Sequence, residues 1–360
     1  MKFRSYHLLQ MISSFESQKA PLDVFLNHYF RAHKALGSKD RKYLSEIIYE
    51  RIRWKSLVEY LKCDLDNFDP YAYINDSTIP PHIRFSCPEE LYTLMTDAFG
   101  SEKTQEFCLA SNTRAPVTIR VNLLKISRDE LFYRWQNLYP ISICKHSQTG
   151  IVFHERVNFW VLDEFKAGLF EVQDEASQLI SSLVDAKPKQ QVLDFCAGAG
   201  GKTLAFAPSM QNKGQIYLHD IRPLALQEAR KRASRAGIQN VQFGLHGGLK
   251  EKMDRVLVDV PCSGTGTYRR NPDLKWKFSN VSLKRLQQEQ RVIFEEALSY
   301  LNCQGKIVYA TCSVLPQENM HQALYFQEKF NLKMIHQFES FPTKDGMDGF
   351  FGAVFERVKA

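Results

Sequence analysis

The sequence has few of the features that mark exported, membrane-spanning or metal-bound proteins. Its eight cysteines include no C-x-x-C pair and no zinc-ligand spacing, and no apolar run approaches the roughly 18 residues of a membrane span. The first residues also lack the apolar core of a secretion signal. We therefore expect reduced thiols, a cytoplasmic location, no bound metal and no membrane partner, and we expect the chain to act as a monomer.

Positive charge exceeds negative charge by 7 over the 360 residues, and the excess is clustered. Eight Lys or Arg and three acids lie in residues 31–55, and a second basic cluster spans residues 228–237. A third cluster, in residues 268–278, alternates aromatic rings with Arg269, Arg270, Lys275 and Lys277. Cations that hold phosphates beside rings that stack on bases are typical of single-stranded RNA binding, although each cluster alone also fits a solvated helix face.

Helical patterns dominate the first third of the chain. Between Pro21 and Leu61 the apolar residues recur at three- and four-residue steps, which indicates amphipathic helices. Four prolines interrupt residues 66–88, which we predict to be a loop or linker. A helical pattern then resumes, and we predict that it stops at Gly100.

Strand patterns follow. Short β-branched runs flank a helix-like piece opened by Ser127 and Glu130, which predicts a small β-α-β module between about residues 116 and 162. From Gln190 onward apolar strands alternate with amphipathic stretches, which predicts a doubly wound, mostly parallel sheet with helices on both faces. We accordingly predict a helical region over residues 1–105, an α+β module over 106–165 and an α/β domain over 166–360.

Glycines follow the first strand of this predicted sheet, in the stretch VLDFCAGAGGKT from Val192 to Thr203. It matches neither the phosphate-loop pattern nor G-x-G-x-x-G, but its glycines allow backbone N–H groups to approach a ligand closely. The next strand ends at Asp220, where a carboxylate can accept hydrogen bonds from ribose hydroxyls. The two features together favour a nucleoside-bearing cofactor without phosphates. Its predicted binding residues are Cys196, Ala197, Gly198, Ala199, Gly200, Gly201, Lys202, Asp220 and Asp259.

Two later strands deliver thiols to the same edge of the sheet. The residues Asp259-Val260-Pro261-Cys262 follow the strand pattern RVLV, and Thr311-Cys312-Ser313 follow KIVYA. A single free cysteine is more often a small buried residue than a catalytic group. Two of them at parallel strand ends, beside an acid and a cofactor turn, favour a catalytic function.

These stretches resemble the RsmB/NOL1/NOP2/Sun family of RNA 5-methylcytosine methyltransferases. The matching motifs are DFCAGAGGKT (194–203), DVPCSGTG (259–266) with the extension RRNPDLKW, and ATCSVLPQEN (310–319); TIRVN, FEVQDEASQL and DGFFGAVFE match outside them. The resemblance implies a Rossmann-like class I methyltransferase domain that uses S-adenosylmethionine. It also implies an RRM-like α+β module and a shortened NusB-like helical region that binds RNA.

The resemblance also implies roles for individual residues. Cys312 is the expected nucleophile that adds to C6 of cytosine, and Asp259 is expected to contact N3. Lys202 is expected to lower the pKa of the thiol, and Cys262 to act in release as a base or proton carrier. The residues expected to contact RNA are Arg269, Arg270 and Arg120.

Two stretches depart from the family pattern. The chain reads Ala197-Gly198-Ala199-Gly200-Gly201-Lys202 where most relatives read A-P-G-G-K. Many relatives also place an aspartate after the third strand to contact adenine, whereas residues 240–250 contain no acid. His246 or Gly247 lies nearest the expected position.

Other readings remain open at the sequence level. A DNA cytosine methyltransferase also carries a Pro-Cys motif, but ATCSV supplies a second cysteine and no large recognition insertion is present. An amino-methyltransferase would show a motif such as N-P-P-Y. A non-catalytic RNA-binding ribosome assembly factor is the alternative from another class. We expect the substrate to be ribosomal RNA, with transfer RNA as the second choice.

Overall fold

The structure, a computed structural model, describes residues 3–16, 18, 20–63, 68–244 and 252–358. The chain forms two compact units: residues 1–115 with 267–282, here called the helical unit, and residues 116–266 with 283–360, here called the sheet unit. The predicted boundary at residue 105 falls inside a helix, so the helical unit extends to Ala115. Within the described ranges, no helix is both long and apolar enough to cross a bilayer.

The helical unit buries the periodic apolar residues that its sequence predicts. Leu44, Ile48 and Ile52, at four-residue steps along one helix, are all buried, which places one stripe of that helix in the core. Gly100 ends another helix with a φ of 81°, as predicted. The helices are α1 (Phe3–Glu16), α2 (Leu22–Ala32), α3 (Ser38–Arg53), α4 (Lys55–Leu61), α5 (Pro81–Arg84), α6 (Glu89–Phe99) and α7 (Ser101–Ser111).

Residues 68–88, which were predicted to be a loop or linker, pack into the helical unit. Ile79, Phe85 and Cys87 are buried there. The turns are held locally: the Asp76 carboxylate accepts hydrogen bonds from the backbone N–H and the hydroxyl of Thr78, at 2.9 and 2.6 Å. Prolines and Asx turns thus shape a compact segment, because its apolar residues contribute burial that a linker lacks.

The extension RRNPDLKW belongs to the helical unit. It contains the short helix α13 (Pro272–Lys275). The Lys275 ammonium is buried and donates hydrogen bonds to the carbonyls of Arg53 and Ser86, at 2.6 Å each, and to Asn112 Oδ1 at 2.5 Å. Burial lowers the pKa of Lys275 to about 8. This cation therefore fastens the segment to three other parts of the helical unit.

The sheet unit opens with a small antiparallel sheet of four strands in the order β2-β3-β1-β4. The predicted helix α8 (Arg128–Trp135) is present, and its N-cap Ser127 accepts a hydrogen bond from the Glu130 N–H at 3.2 Å. The fourth strand extends the sheet beyond the predicted end of the module at residue 165. The strands are β1 (Val117–Val121), β2 (Ile141–Ile143), β3 (Gly150–Phe153) and β4 (Phe170–Val172).

A seven-stranded sheet forms the centre of the sheet unit, in the order β10-β11-β9-β8-β5-β6-β7. Its neighbouring strands are parallel except at β11, which runs antiparallel to β9 and β10. The strands are β5 (Gln191–Asp194), β6 (Gln215–Leu218), β7 (Val241–Phe243), β8 (Met253–Asp259), β9 (Leu301–Thr311), β10 (Leu332–Ser340) and β11 (Phe350–Arg357).

Both faces of this sheet are covered. Along β8, Leu257 packs into one apolar cluster, whereas Val256 and Val258 pack into the cluster on the other face. This alternation requires helices on both sides, and it confirms the predicted Rossmann-like, doubly wound fold. The helices of the sheet unit that follow β4 are α10 (Glu175–Ser182), α11 (Gly201–Phe206), α12 (Pro223–Ala236), α14 (Asn280–Ser299) and α15 (Met320–Lys329), whereas α9 (Asp163–Lys166) packs with the small sheet.

The strand order creates a ligand crevice at one place. The chain passes from β5 outward through β6 and β7, and then returns to β8 on the other side of β5. The connections that leave the carboxyl ends of β5 and β8 therefore diverge, and such a switch point is where open α/β sheets bind ligands.

Candidate active site

The glycine turn lies at this switch point. It leaves the end of β5 and enters α11, with Gly198 and Gly200 at φ values of 53° and 77° that favour glycine. A Cβ atom added to Gly201 would meet no atom within 4 Å, so the backbone there faces open space. The turn thus exposes main chain to which a ligand can bind closely.

A partly buried ion-pair cluster contacts the glycine turn. Arg232 on α12 donates from Nη1 to the Ala199 carbonyl at 2.8 Å and from Nη2 to the Glu171 carboxylate at 3.1 Å. Arg235 binds the same carboxylate at 2.5 Å. Glu171 lies on β4, so the small sheet is connected through Arg232 to the predicted cofactor turn.

Asp220 follows β6 and lies beside the turn. Its Oδ2 accepts a hydrogen bond from the Gly198 N–H at 2.8 Å, and both carboxylate oxygens accept from the Arg222 guanidinium, at 3.0 and 3.1 Å. Burial raises the pKa of Asp220, but the hydrogen bonds from Arg222 and Gly198 outweigh it, so the pKa is below its ordinary value. The Arg222 side chain is 69% exposed, and a ribose can therefore displace it.

Asp194, the last residue of β5, is a feature of the site that the sequence analysis did not single out. Its carboxyl is buried and accepts a hydrogen bond from Thr203 Oγ1 at 2.6 Å. Burial raises the pKa of Asp194 to about 7. The Thr203 bond fixes the first turn of α11 against the end of β5. The sequence signal that could have identified Asp194 is an acid at the end of the first strand of the predicted parallel sheet.

Lys202 and Asp259 form an ion pair across the crevice, with 2.6 Å between Nζ and Oδ2. Burial lowers the pKa of Lys202, but the charge of Asp259 and its hydrogen bond outweigh burial and raise the pKa above its ordinary value. Lys202 therefore stays protonated at neutral pH. This ion pair therefore joins the glycine turn to the end of β8.

The two predicted thiols also meet. Their Sγ atoms lie 3.3 Å apart, because β8 and β9 are parallel neighbours with Asp259 opposite Ala310, so both strands end at one level. A hydrogen bond with Cys312, then burial and the charges of Cys312 and Glu318, raise the pKa of Cys262 well above its ordinary value. A third cysteine, Cys196 in the glycine turn, also has a raised pKa, chiefly because it is buried.

The residues predicted to contact RNA are less accessible than those predictions require. Arg120 and Arg269 are buried, with 3% and 1% of their surface exposed, and this burial argues against the phosphate contacts predicted for them. Arg120 instead donates to Gln173 Oε1 at 2.7 Å, and burial lowers the pKa of Arg120 to about 10. Arg270 is half-buried. The cations of residues 31–55 that are exposed include Lys34, Lys39 and Lys42.

The expected adenine contact, His246 or Gly247 after β7, lies outside the described residues. β7 itself ends at Phe243, and the Gly244 N–H donates to the Leu218 carbonyl of β6 at 2.8 Å.

Comparison with known proteins identifies the family from two separate matches along the chain. Residues 181–356 match the family described as 16S rRNA methyltransferase RsmB/F. Residues 87–159 match the ferredoxin-like domain of RsmF/B-like methyltransferases. The first match contains the glycine turn, the Lys202–Asp259 pair and both thiols.

Individual relatives agree with the family matches. The "Probable ribosomal RNA small subunit methyltransferase B" of Synechocystis sp. is 30% identical over 66% of this chain, and the chain spans 56% of that protein. A human "28S rRNA (cytosine(4447)-C(5))-methyltransferase" is 29% identical over 73% of this chain, which spans 34% of that protein. The chain thus spans about half the length of the first relative and about a third of the second.

A solved structure shows the same fold. A methyltransferase homologue from Pyrococcus horikoshii superposes with a TM-score of 0.67 at 25% identity, covering 77% of this chain and 97% of that one. Motifs, fold and relatives agree, and the chain belongs to the RsmB/NOL1/NOP2/Sun family of RNA methyltransferases.

Proposed function

We propose that the protein transfers a methyl group from S-adenosylmethionine to C5 of a cytosine in RNA, through a covalent bond between Cys312 and C6. The observation that carries this proposal is the pair of thiols, 3.3 Å apart at the ends of β8 and β9, beside the Lys202–Asp259 ion pair. Ribosomal RNA is the proposed substrate, because the relatives are named as ribosomal RNA methyltransferases. The cytoplasmic location expected from the sequence is part of this proposal.

The residues at the switch point fit the cofactor. The open backbone at Gly201 and the nearby Asp220 carboxylate suit a nucleoside. Lys202, the cation of the turn, is already paired with Asp259, so the turn suits a ligand without phosphates. S-adenosylmethionine, when bound, supplies an electrophilic methyl group on a sulfonium.

The chain's own residues perform the remaining steps. C5 of cytosine is a weak nucleophile, so the Cys312 thiolate first forms a bond to C6 and pushes electrons into the ring. N3 then takes a proton from the Lys202 ammonium, relayed by the Asp259 carboxylate along their 2.6 Å hydrogen bond, and returns it to Lys202 when Cys312 leaves. C5 becomes nucleophilic and accepts the methyl group. Loss of the C5 proton to Cys262 breaks the S–C6 bond and frees Cys312.

The different roles proposed for the two thiols predict different outcomes for their alanine variants. Cys312→Ala is expected to abolish both methylation and any protein–RNA adduct, because no S–C6 bond can form. Cys262→Ala is expected to methylate once and then remain attached to RNA through Cys312. On a denaturing gel this variant should show a slower, nuclease-sensitive band that requires S-adenosylmethionine.

Cys303→Ala is the matched control, since Cys303 is an exposed thiol outside the site, and it should behave as the unchanged protein. An adduct in Cys312→Ala and none in Cys262→Ala would reverse the assigned roles. Bisulfite sequencing of total RNA with and without the gene tests the substrate. A lost site in transfer RNA would contradict the ribosomal assignment, and no lost site would favour a non-catalytic assembly factor.

A further inference from the structure

Glu318 is a buried carboxylate that the proposed reaction does not use. It lies between β9 and α15 with no exposed surface. Its oxygens accept hydrogen bonds from the Ser263 N–H at 2.9 Å, the Ser263 hydroxyl at 2.5 Å and Gln290 Nε2 at 3.0 Å. Of the described residues, no Lys, Arg or His approaches it within ion-pairing distance. A buried carboxylate without a cation is costly.

The hydrogen-bond network of this carboxylate includes the residues on either side of Cys262. Ser263, its main donor, directly follows Cys262, and Gln290 also donates to the Pro261 carbonyl at 3.0 Å. The residues on both sides of Cys262 are thus held by one network. The network continues through Tyr309, whose hydroxyl donates to the Glu318 carbonyl at 2.7 Å.

The titratable groups that face Cys262 are Cys312, Glu318 and Tyr309. Cys312, burial and the Glu318 charge raise the pKa of Cys262, and only the Gly264 N–H opposes them. Burial raises the pKa of Tyr309 well above its ordinary value, so Tyr309 is neutral near pH 7. Glu318 is therefore the carboxylate that faces this thiol.

The other thiol has a cation nearby. A negative charge on Cys312 is among the causes that raise the pKa of Lys202, after burial, which lowers it, and the partner Asp259. The ammonium and a Cys312 thiolate therefore stabilise each other. One thiol of the pair faces a cation and the other faces an anion, although they are only 3.3 Å apart.

We propose that Glu318 assigns the two thiols their roles: its charge, held on Ser263, keeps the proton of the pair on Cys262 and leaves the thiolate on Cys312. This inference rests on the proposed function and names a positioning residue for it. Glu318 touches no reacting atom and acts through Cys262.

The same arrangement suits the later step. Once Cys312 is bonded to C6, it is no longer a thiolate, so both its hydrogen bond with Cys262 and its negative charge, two of the causes that raise the pKa of Cys262, are lost. Cys262 can then release its proton to water. The thiolate that forms takes the C5 proton, and the Glu318 charge makes it a stronger base. One proton leaves Cys262 and one returns, so the step balances.

The test measures the two thiols without RNA or cofactor. Iodoacetamide alkylation of Cys262 and Cys312 is followed by peptide mass spectrometry from about pH 6 to about pH 10, a range that brackets the ordinary cysteine pKa near 8.5. In the unchanged protein Cys312 should react first. In Glu318→Gln the ratio of Cys312 to Cys262 alkylation near neutral pH should fall about tenfold, the effect of one pKa unit.

Two variants separate charge from shape. Glu318→Asp keeps the charge and should keep the ratio of the unchanged protein. Glu328→Gln removes the same charge from an exposed position on α15 and should also leave the ratio unchanged. Equal shifts in Glu318→Asp and Glu318→Gln, or no shift in Glu318→Gln, would overturn the proposal.

The unchanged protein offers an independent check if Glu318→Gln does not fold, as judged by circular dichroism. Faster alkylation of Cys262 than of Cys312 near neutral pH would refute the proposal without any variant. A shifted ratio together with no 5-methylcytosine in RNA would leave this inference standing and reject the proposed function. An unshifted ratio with active methylation would do the reverse.

Discussion

If the proposed cofactor binds Asp220, it must compete with the Arg222 guanidinium that occupies this carboxylate, and variants of the two residues should then change cofactor affinity in opposite directions. Two ribose hydroxyls that donate to the Asp220 carboxylate contribute about 3 kcal/mol, since hydrogen bonds to charged groups are worth about 1.5 kcal/mol or more each. Binding must first release the Arg222 guanidinium, an exposed pairing worth at most about 1 kcal/mol. The net contribution of Asp220 is then about 2 kcal/mol.

Asp220→Ala should therefore bind S-adenosylmethionine and its demethylated product about 30-fold more weakly, because about 1.4 kcal/mol corresponds to a factor of ten. Asp220→Asn keeps an acceptor for the Gly198 N–H and should lose about half as much free energy. Arg222→Ala removes the competitor and should bind up to about fivefold more tightly.

Isothermal titration calorimetry without RNA measures all three variants. Lys231→Ala, which removes an exposed cation from α12, the helix that follows Arg222, is the control and should match the unchanged protein. Weaker binding by Arg222→Ala, or unchanged binding by Asp220→Ala, would show that the cofactor does not use this carboxylate.

Two further predictions concern pH and salt. Burial raises the folded-state pKa of Asp194 to about 7, so the folded state binds more protons than the unfolded state between about pH 4 and 7, and this residue makes stability fall as pH rises through that window. Asp194→Asn, which still accepts from Thr203, should flatten that fall in urea titrations at several pH values, and an unchanged slope would refute the assignment. Replacing the exposed Lys34, Lys39 and Lys42 with Gln should reduce the slope of log RNA affinity against log salt by up to about 2, roughly 0.7 per lost contact on a single strand. The same number of exposed lysines replaced on the sheet unit is the control, and an equal reduction there would argue against a role for the helical unit.

Sequence reasoning located the parts of the site that depend on local pattern. Strand ends can be predicted from apolar runs, and parallel strands present their carboxyl ends at one edge. The glycine turn, Asp220, Asp259 and the two cysteines were therefore brought together correctly. The partners of each side chain, such as Arg222 on Asp220, were outside the reach of these patterns.

The sequence did not indicate which charged residues are buried. Arg269 and Lys275 looked like phosphate contacts because cations are usually exposed. Lys275 is instead satisfied by acceptors 222, 189 and 163 positions away, and no local pattern shows such distant partners. Glu318 was overlooked for the same reason, since its donors Ser263 and Gln290 are 55 and 28 positions away.

The helical unit is discontinuous in sequence, so its folding during synthesis depends on residues that are translated late. Residues 1–115 leave the ribosome first, but Lys275 and α13, which complete their packing, emerge only after residues 116–266 have been made. Until then the carbonyls of Arg53 and Ser86 lack the ammonium that they bind in the finished protein. The helical unit therefore cannot mature before much of the sheet unit has been translated, and the order of assembly runs against the usual N-terminal-first sequence of domain folding.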